Sequence, residues 1–281
     1  MKHPARTNRH PLSIVVFLLV SIGCRETPDD SPMVVPDGDA VQTVAPDWPG
    51  PPPGSVAKLR ADLGLRADQG QFQKSGGRIA VADLSGTSIV SLEPLRGLPL
   101  SKLAFSDTRV SDLRPLESPR LELLYATGCP IESLDGLEGS RIGQLNLIDC
   151  PIVSLEPLAN ARIGTLWLRN CPVRDLTPLA TVGLTSLDVQ DTPVADLKPL
   201  RGMMSLRRLN IANTEVTDLR PLAGLSLQRL ILSPRTIVEG MDTVRAMPTL
   251  EAIDTSFDGD QPVAMPAAEF WQRYDAGEFA N

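Results

Sequence analysis

The chain has almost no histidine. Both copies, His3 and His10, stand in its first ten residues. A protein that had shed its N-terminus would have none, which excludes histidine triads, histidine general bases and the common zinc sites. Aromatic residues are also scarce, at 4%, so the core must be built from Leu, Ile, Val and Ala. Acidic residues outnumber basic ones, 34 to 27, for a formal net charge of −7. That balance argues against nucleic acid and anionic lipid as main partners, because both need clustered Lys and Arg. Long apolar runs are missing too. The longest, LSIVVFLLVSI from Leu12 to Ile22, is short of the ~20 residues that span a bilayer. Carboxylate, Lys, Ser and Tyr chemistry remains, but no nucleophile–base pair, phosphate loop or metal cluster organises it. The sequence therefore implies no catalytic residue, no metal and no cofactor.

The N-terminus is the first positive signal. A basic stretch, MKHPARTNRHP, precedes the apolar run and then Gly23-Cys24, as in an export signal. Ser21-Ile22-Gly23-Cys24 resembles a bacterial lipobox, with Ser21 where that pattern prefers Leu. The resemblance implies removal of residues 1–23 and lipidation of Cys24, which would tether the protein to a membrane of the cell envelope. An ordinary secretion signal, leaving a secreted or periplasmic protein, and an uncleaved anchor are the alternatives. Residues 1–23 hold Lys2, Arg6 and Arg9 and no acid, so a processed chain would carry −10 rather than −7. Residues 24–54 are rich in Pro and Asp (TPDDSP, VPDGD, APDWPGPPPG). Such a segment cannot bury a core and reads as a disordered tether.

The rest is organised by a repeat. IGQLNLIDCPIVSLEPLANAR, from Ile142 to Arg162, lies almost column for column over the next stretch, IGTLWLRNCPVRDLTPLATVG. One leucine recurs at Leu92, Leu113, Leu134, Leu155, Leu176, Leu197 and Leu219. A second follows three residues later in every unit, and Pro precedes it in all but one, where Gly136 stands. Upstream, Ile142, Leu145, Leu147, Cys150 and Ile152 spell L-x-x-L-x-L-x-x-C-x-L, a repeat pattern that stacks one strand per unit. Across residues 79–249 the chain resembles leucine-rich repeat proteins, and the short unit ending D-L-x-P-L is most similar to the bacterial internalin type. The implied fold is an α/β solenoid: a right-handed superhelix with a concave parallel β-sheet and a convex side of turns and short 3₁₀ segments. Segments such as Gln144–Ile148 should be the strands. The Ser or Asp before each reference leucine suits a cap for a short helical turn. Residues 55–78, with a helix over Ser55–Leu63 and a hairpin around Ser75-Gly76-Gly77, read as an N-terminal cap. Residues 250–281, with a helix over Ala268–Asp275, read as a C-terminal cap.

Cys129, Cys150 and Cys171 share one column with Thr87, Thr108, Thr192 and Thr214. That column should hold a small buried polar group that bonds turn backbone from one unit to the next. Parallel side chains aim poorly at one another, so free buried thiols are expected rather than disulfides.

Residues between the inward leucines should line the concave face. Among them Tyr125 and Trp167 are two of the chain's five Tyr and Trp residues. Leu123, Asn146, Ile148 and Arg169 surround them, and Arg208, Asn210 and Arg229 continue the face. An aromatic patch with Arg nearby has the make-up of a protein-interface anchor. Arg169, Arg208 and Arg229 alternatively form a modest basic strip for an acidic ligand. The leading expectation is a non-enzymatic scaffold on the bacterial envelope that binds a protein or peptide through its concave face, as a monomer and without nucleic acid. The alternative is a structural envelope spacer, or a signalling-associated repeat protein, with no dedicated concave-face ligand.

Overall fold

The computed structural model describes residues 55–256 and 264–279. Cys24, the export signal and the Pro/Asp-rich tether lie outside the described residues. Among the described residues no helix is long and apolar enough to cross a membrane.

The described chain builds one ten-stranded sheet whose spatial order is the sequence order. Helix α1 (Val56–Asp62) is capped by Ser55, whose hydroxyl accepts from the Lys58 N–H at 3.0 Å. Strands β1 (Gln71–Ser75) and β2 (Arg78–Asp83) then pair antiparallel, turning through Gly76 and Gly77, both at positive φ. From β2 onward every pairing is parallel: β3 (Lys102–Ala104), β4 (Arg120–Tyr125), β5 (Arg141–Asn146), β6 (Arg162–Trp167), β7 (Ser186–Asp188), β8 (Arg208–Ile211), β9 (Arg229–Leu232) and β10 (Ala252–Asp254). The strands start earlier than the sequence pattern implies. Strand β5 runs Arg141–Asn146, not Gln144–Ile148, because Ile142 adds a second inward anchor ahead of Leu145.

Register holds Leu103, Leu124, Leu145, Leu166, Leu187 and Leu209 opposite one another, and all six are buried. No unit covers its leucines alone, so stability comes from stacking of neighbours. Side-chain volumes are traded between units. Phe105 and Ala126 occupy equivalent positions in adjacent repeats and both are fully buried, a large side chain beside a small one.

The convex side is made of 3₁₀ turns such as Glu93–Leu95, Glu156–Leu158 and Lys198–Leu200. The Ser or Asp before each reference leucine stands one residue ahead of the helix cap, which is the leucine itself in the six units with a 3₁₀ turn, yet it fastens the turn entry in all seven units. Ser91, Asp112, Ser133, Ser154, Asp175, Asp196 and Asp218 each accept a hydrogen bond from the backbone N–H two residues on, at 2.8–3.3 Å. The unit with Gly136 in place of Pro has no 3₁₀ turn. There the chain passes so close to its neighbour that a Cβ on Gly136 would stand 2.4 Å from the Leu113 carbonyl oxygen, and its φ is +100°. Only glycine fits that approach.

The Cys/Thr column divides by chemistry. Each thiol donates to a carbonyl of the preceding unit: Cys129 to Phe105, Cys150 to Ala126 and Cys171 to Leu147, at 3.1–3.2 Å. The threonines make their carbonyl bonds inside their own unit, although the Thr108 hydroxyl also lies 3.5 Å from the Cys129 thiol of the next unit. Thr87, Thr108, Thr192 and Thr214 each donate to the carbonyl three residues back, at 2.6–2.8 Å. The longer C–S bond and larger sulfur reach a carbonyl of the preceding unit, and the hydroxyls bond no carbonyl there. All three thiols are free and buried.

After β9 the repeat frame breaks. Helix α2 (Met241–Arg245), which the sequence pattern does not announce, precedes β10. Helix α3 (Ala267–Asp275) then covers the last apolar layer. Phe270 is fully buried, with the Trp271 ring 5.0 Å away edge-on and the Tyr274 ring 6.0 Å away.

Candidate functional site on the concave face

Outward positions of the strands fall into rows along the sheet. The central row runs Asp83, Ala104, Tyr125, Asn146, Trp167, Asp188, Asn210, Ile231 and Asp254. Only Tyr125, Asn146 and Trp167 of this row escape full burial. The face is therefore low on both sides and raised in the middle.

Tyr125 and Trp167 stand two strands apart with Asn146 between them. Their rings nonetheless meet over it, centroids 6.1 Å apart and planes at 87°, the edge-to-face geometry that aromatic pairs prefer. The Tyr125 hydroxyl donates to Gln144 Oε1 at 2.8 Å, and burial pushes its pKa above the usual tyrosine value. Asn146 below is fully engaged on its oxygen, which accepts from the Ile148 N–H at 3.1 Å and from the Thr127 hydroxyl at 2.9 Å. Leu123 and Ile148, both half-buried, flank the pair. The patch is thus apolar, pinned by hydrogen bonds at its base, and preorganised.

The basic strip is not assembled. Arg169 bonds Asp188 at 3.0 Å and Arg229 bonds Asp254 at 2.7 Å, with both carboxylates almost buried. Register places Arg208 beside Arg229, whereas Arg169 lies two residues past Trp167, in the neighbouring row. Of the three only Arg208 is fully exposed. Asn210 is also not a surface contact. It is 5% exposed, accepts from the Ala212 N–H at 3.1 Å and donates to Gln190 at 3.0 Å. Its row explains why. Asp83, Asn146, Asp188 and Asn210 all accept the N–H two residues on, fastening the strand end as Asx turns do. An Asp or Asn in this row is structural, while an aromatic there has no such partner and rises from the face.

A second row escaped the sequence reading. Gly86, Asp107, Gly128, Asp149, Asn170, Asp191 and Asn213 recur once per unit, and all have φ between 54° and 68°. Gly, Asn and Asp are the residues that tolerate this left-handed turn. The signal was present as a column of only those three types. Asn170 donates to Asp149 at 2.8 Å and Asn213 to Asp191 at 2.9 Å, so the row is tied laterally. Among the described residues no three His, Cys, Asp or Glu side chains are grouped to hold a metal ion.

No protein-family model matches the sequence, and no curated protein matches it. Several solved structures do. Internalin C2 of Listeria monocytogenes is 24% identical, with 63% of this chain and 91% of that one aligned and a TM-score of 0.43. An internalin F of the same organism is 19% identical over 69% and 72% of the two chains, with a TM-score of 0.44. A leucine-rich repeat protein of Leptospira interrogans is 17% identical over 61% and 59%, with a TM-score of 0.41. These superpositions are loose, so the assignment stands on this chain's own spacing, register and turn bonding. By those, the fold is a leucine-rich repeat solenoid.

Proposed function

We propose that the protein is a non-enzymatic scaffold that holds a protein or peptide ligand on its concave face, displayed on the bacterial cell envelope through a lipid on Cys24. The observation that carries the reading is the Tyr125–Trp167 pair. In a chain with so few aromatics, two meet at 6.1 Å on the outward face of the sheet instead of filling the core. Desolvating such a rigid pair is a large favourable contribution in recognition, because little side-chain entropy is lost on binding. Leu123 and Ile148 widen the apolar area, and Arg208 offers a charged contact on the same face.

The test is partner capture. The protein lacking residues 1–23 and its Y125A/W167A variant are immobilised and exposed to envelope extract. Both substitutions are at half-exposed positions, and retention of the far-ultraviolet spectrum checks the fold. A partner held by the parent and lost by the variant supports the reading. Equal capture moves the site off this patch, and no capture by either favours the envelope spacer. Anchoring is checked separately: metabolic labelling with an alkyne fatty acid should mark the full chain and not its C24S variant.

A further inference from the structure

Strands β4, β5 and β6 each begin on arginine. Arg120, Arg141 and Arg162 pair in register, at the ~4.8 Å spacing of neighbouring strands. All three are exposed. Among the described residues, no ion pair or hydrogen bond engages any of the three guanidinium groups. The contrast with other arginines is clear: Arg96, Arg114, Arg169, Arg220 and Arg229 each hold a carboxylate. Like charges directly opposite in a sheet are destabilising. A chain with 34 acidic residues has counter-charges to spare, yet among the described residues none pairs with these three. The nearest acid on the same strands, Glu122, is 3.4 Å from Lys102.

The ground beside the ladder is bare. Gly143 and Gly164 follow Arg141 and Arg162 on the outward side, where β4 carries Glu122. A Cβ on Gly143 would stand 2.6 Å from the Glu122 carbonyl oxygen, and one on Gly164 would stand 2.8 Å from that of Gly143. On β5 and β6 the result is a floor of backbone beside Arg141 and Arg162, while the exposed Glu122 of β4 is turned to Lys102. We propose that this floor and ladder bind a short acidic segment of a partner polypeptide, with its carboxylates on Arg120, Arg141 and Arg162. The guanidinium fork matches a carboxylate in two parallel hydrogen bonds, and a bare backbone floor admits an extended chain. Three rungs suit a short run of acid. A long polyanion would extend past them onto an acidic protein that repels it. The arginine part of this site is separate from the aromatic patch and does not rest on it.

The experiment uses the whole protein and fluorescein-labelled hexaglutamate, read by anisotropy at low and moderate salt. The parent is expected to bind, more weakly as salt rises. R120Q/R141Q/R162Q is expected to lose at least about a hundredfold in affinity, and R141Q alone about tenfold, the scale of one charge-assisted hydrogen bond. R66Q/R201Q/R235Q makes the same change in net charge elsewhere and should stay within about threefold. Hexaglutamate has no apolar side chain, so Y125A/W167A should bind it as the parent does, which separates failure of the ladder from failure of the aromatic site. No binding by the parent, equal loss in both arginine triples, loss in Y125A/W167A, or preference for a sulfated hexasaccharide over hexaglutamate would each overturn the proposal.

Discussion

Replacing Gly136 by alanine should destabilise the solenoid more than the same change at any exposed turn glycine. Two costs are separable here. Gly202 has φ +75° and open space around its missing Cβ, so alanine there meets only the left-handed backbone penalty, about 1–2 kcal/mol. Gly143 is outside the left-handed region but its Cβ would press on the Glu122 carbonyl at 2.6 Å. That is an overpacking cost of about 1–3 kcal/mol. Gly136 carries both, with φ +100° and backbone of the preceding unit at 2.4 Å. The two summed give about 2–5 kcal/mol, with a midpoint of about 3.5. At about 2–4 °C per kcal/mol for a chain of this size, G136A should melt about 10 °C below the parent. G202A should melt about 4 °C below it. Thermal and urea unfolding followed by circular dichroism read both. A G136A variant no less stable than G202A would refute the idea that close passage of neighbouring units, rather than turn geometry, fixes glycine at this place.

Other consequences concern the polar rows. D188A removes the acceptor for the Gln190 N–H and the partner of Arg169 in one step, and should cost about 2–3 kcal/mol by urea unfolding; D188N, which keeps the N–H acceptor, should recover part of it. Asp112, Asp175 and Asp218 are held below the usual aspartate value of 3.8 by hydrogen bonds from Arg114, Thr177 and Arg220 respectively. Because folding lowers these values, their contribution is present above about pH 4 and is lost as pH falls through the folded values. D112N/D175N/D218N should therefore show a flatter loss of stability in acid, and an unchanged acid limb would contradict this account of the turns. Burial pushes the Cys150 thiol up to about 12 and the Cys171 thiol up to about 11. Iodoacetamide at neutral pH should therefore leave these two and the buried Cys129 intact until the protein is unfolded, as read by peptide mass spectrometry.

The solenoid was legible because its causes are local and repeated. A leucine buried by its neighbours must recur with the unit, and a Ser or Asp that fastens the turn must recur with it. Both leave columns in the sequence, and the register follows from them. The face was legible only in part. Alternation tells that Asn210 points away from the leucine core, but not that Gln190 and the Ala212 backbone close over it. The ion pairs of Arg169 and Arg229 depend on Asp188 in the next strand and on Asp254 beyond the last clean repeat, so row-by-row reading missed them. The arginine ladder stayed hidden for another reason. It lies ahead of the leucine pattern, where β4, β5 and β6 are six residues long while β3 and β7 have three. The short flanking strands gave no cue that the middle ones reach back to Arg120, Arg141 and Arg162.

The central claim is that the raised aromatic pair is where a partner sits. Hydroxyl-radical footprinting of the protein alone and with its captured partner addresses it directly, because tyrosine and tryptophan side chains are oxidised in proportion to their exposure. The account predicts that oxidation of Tyr125 and Trp167 falls sharply in the complex while that of Trp271 and Tyr274 in helix α3 is unchanged. Protection of the α3 aromatics, with Tyr125 and Trp167 oxidised as before, would place the partner on the end of the solenoid and contradict it.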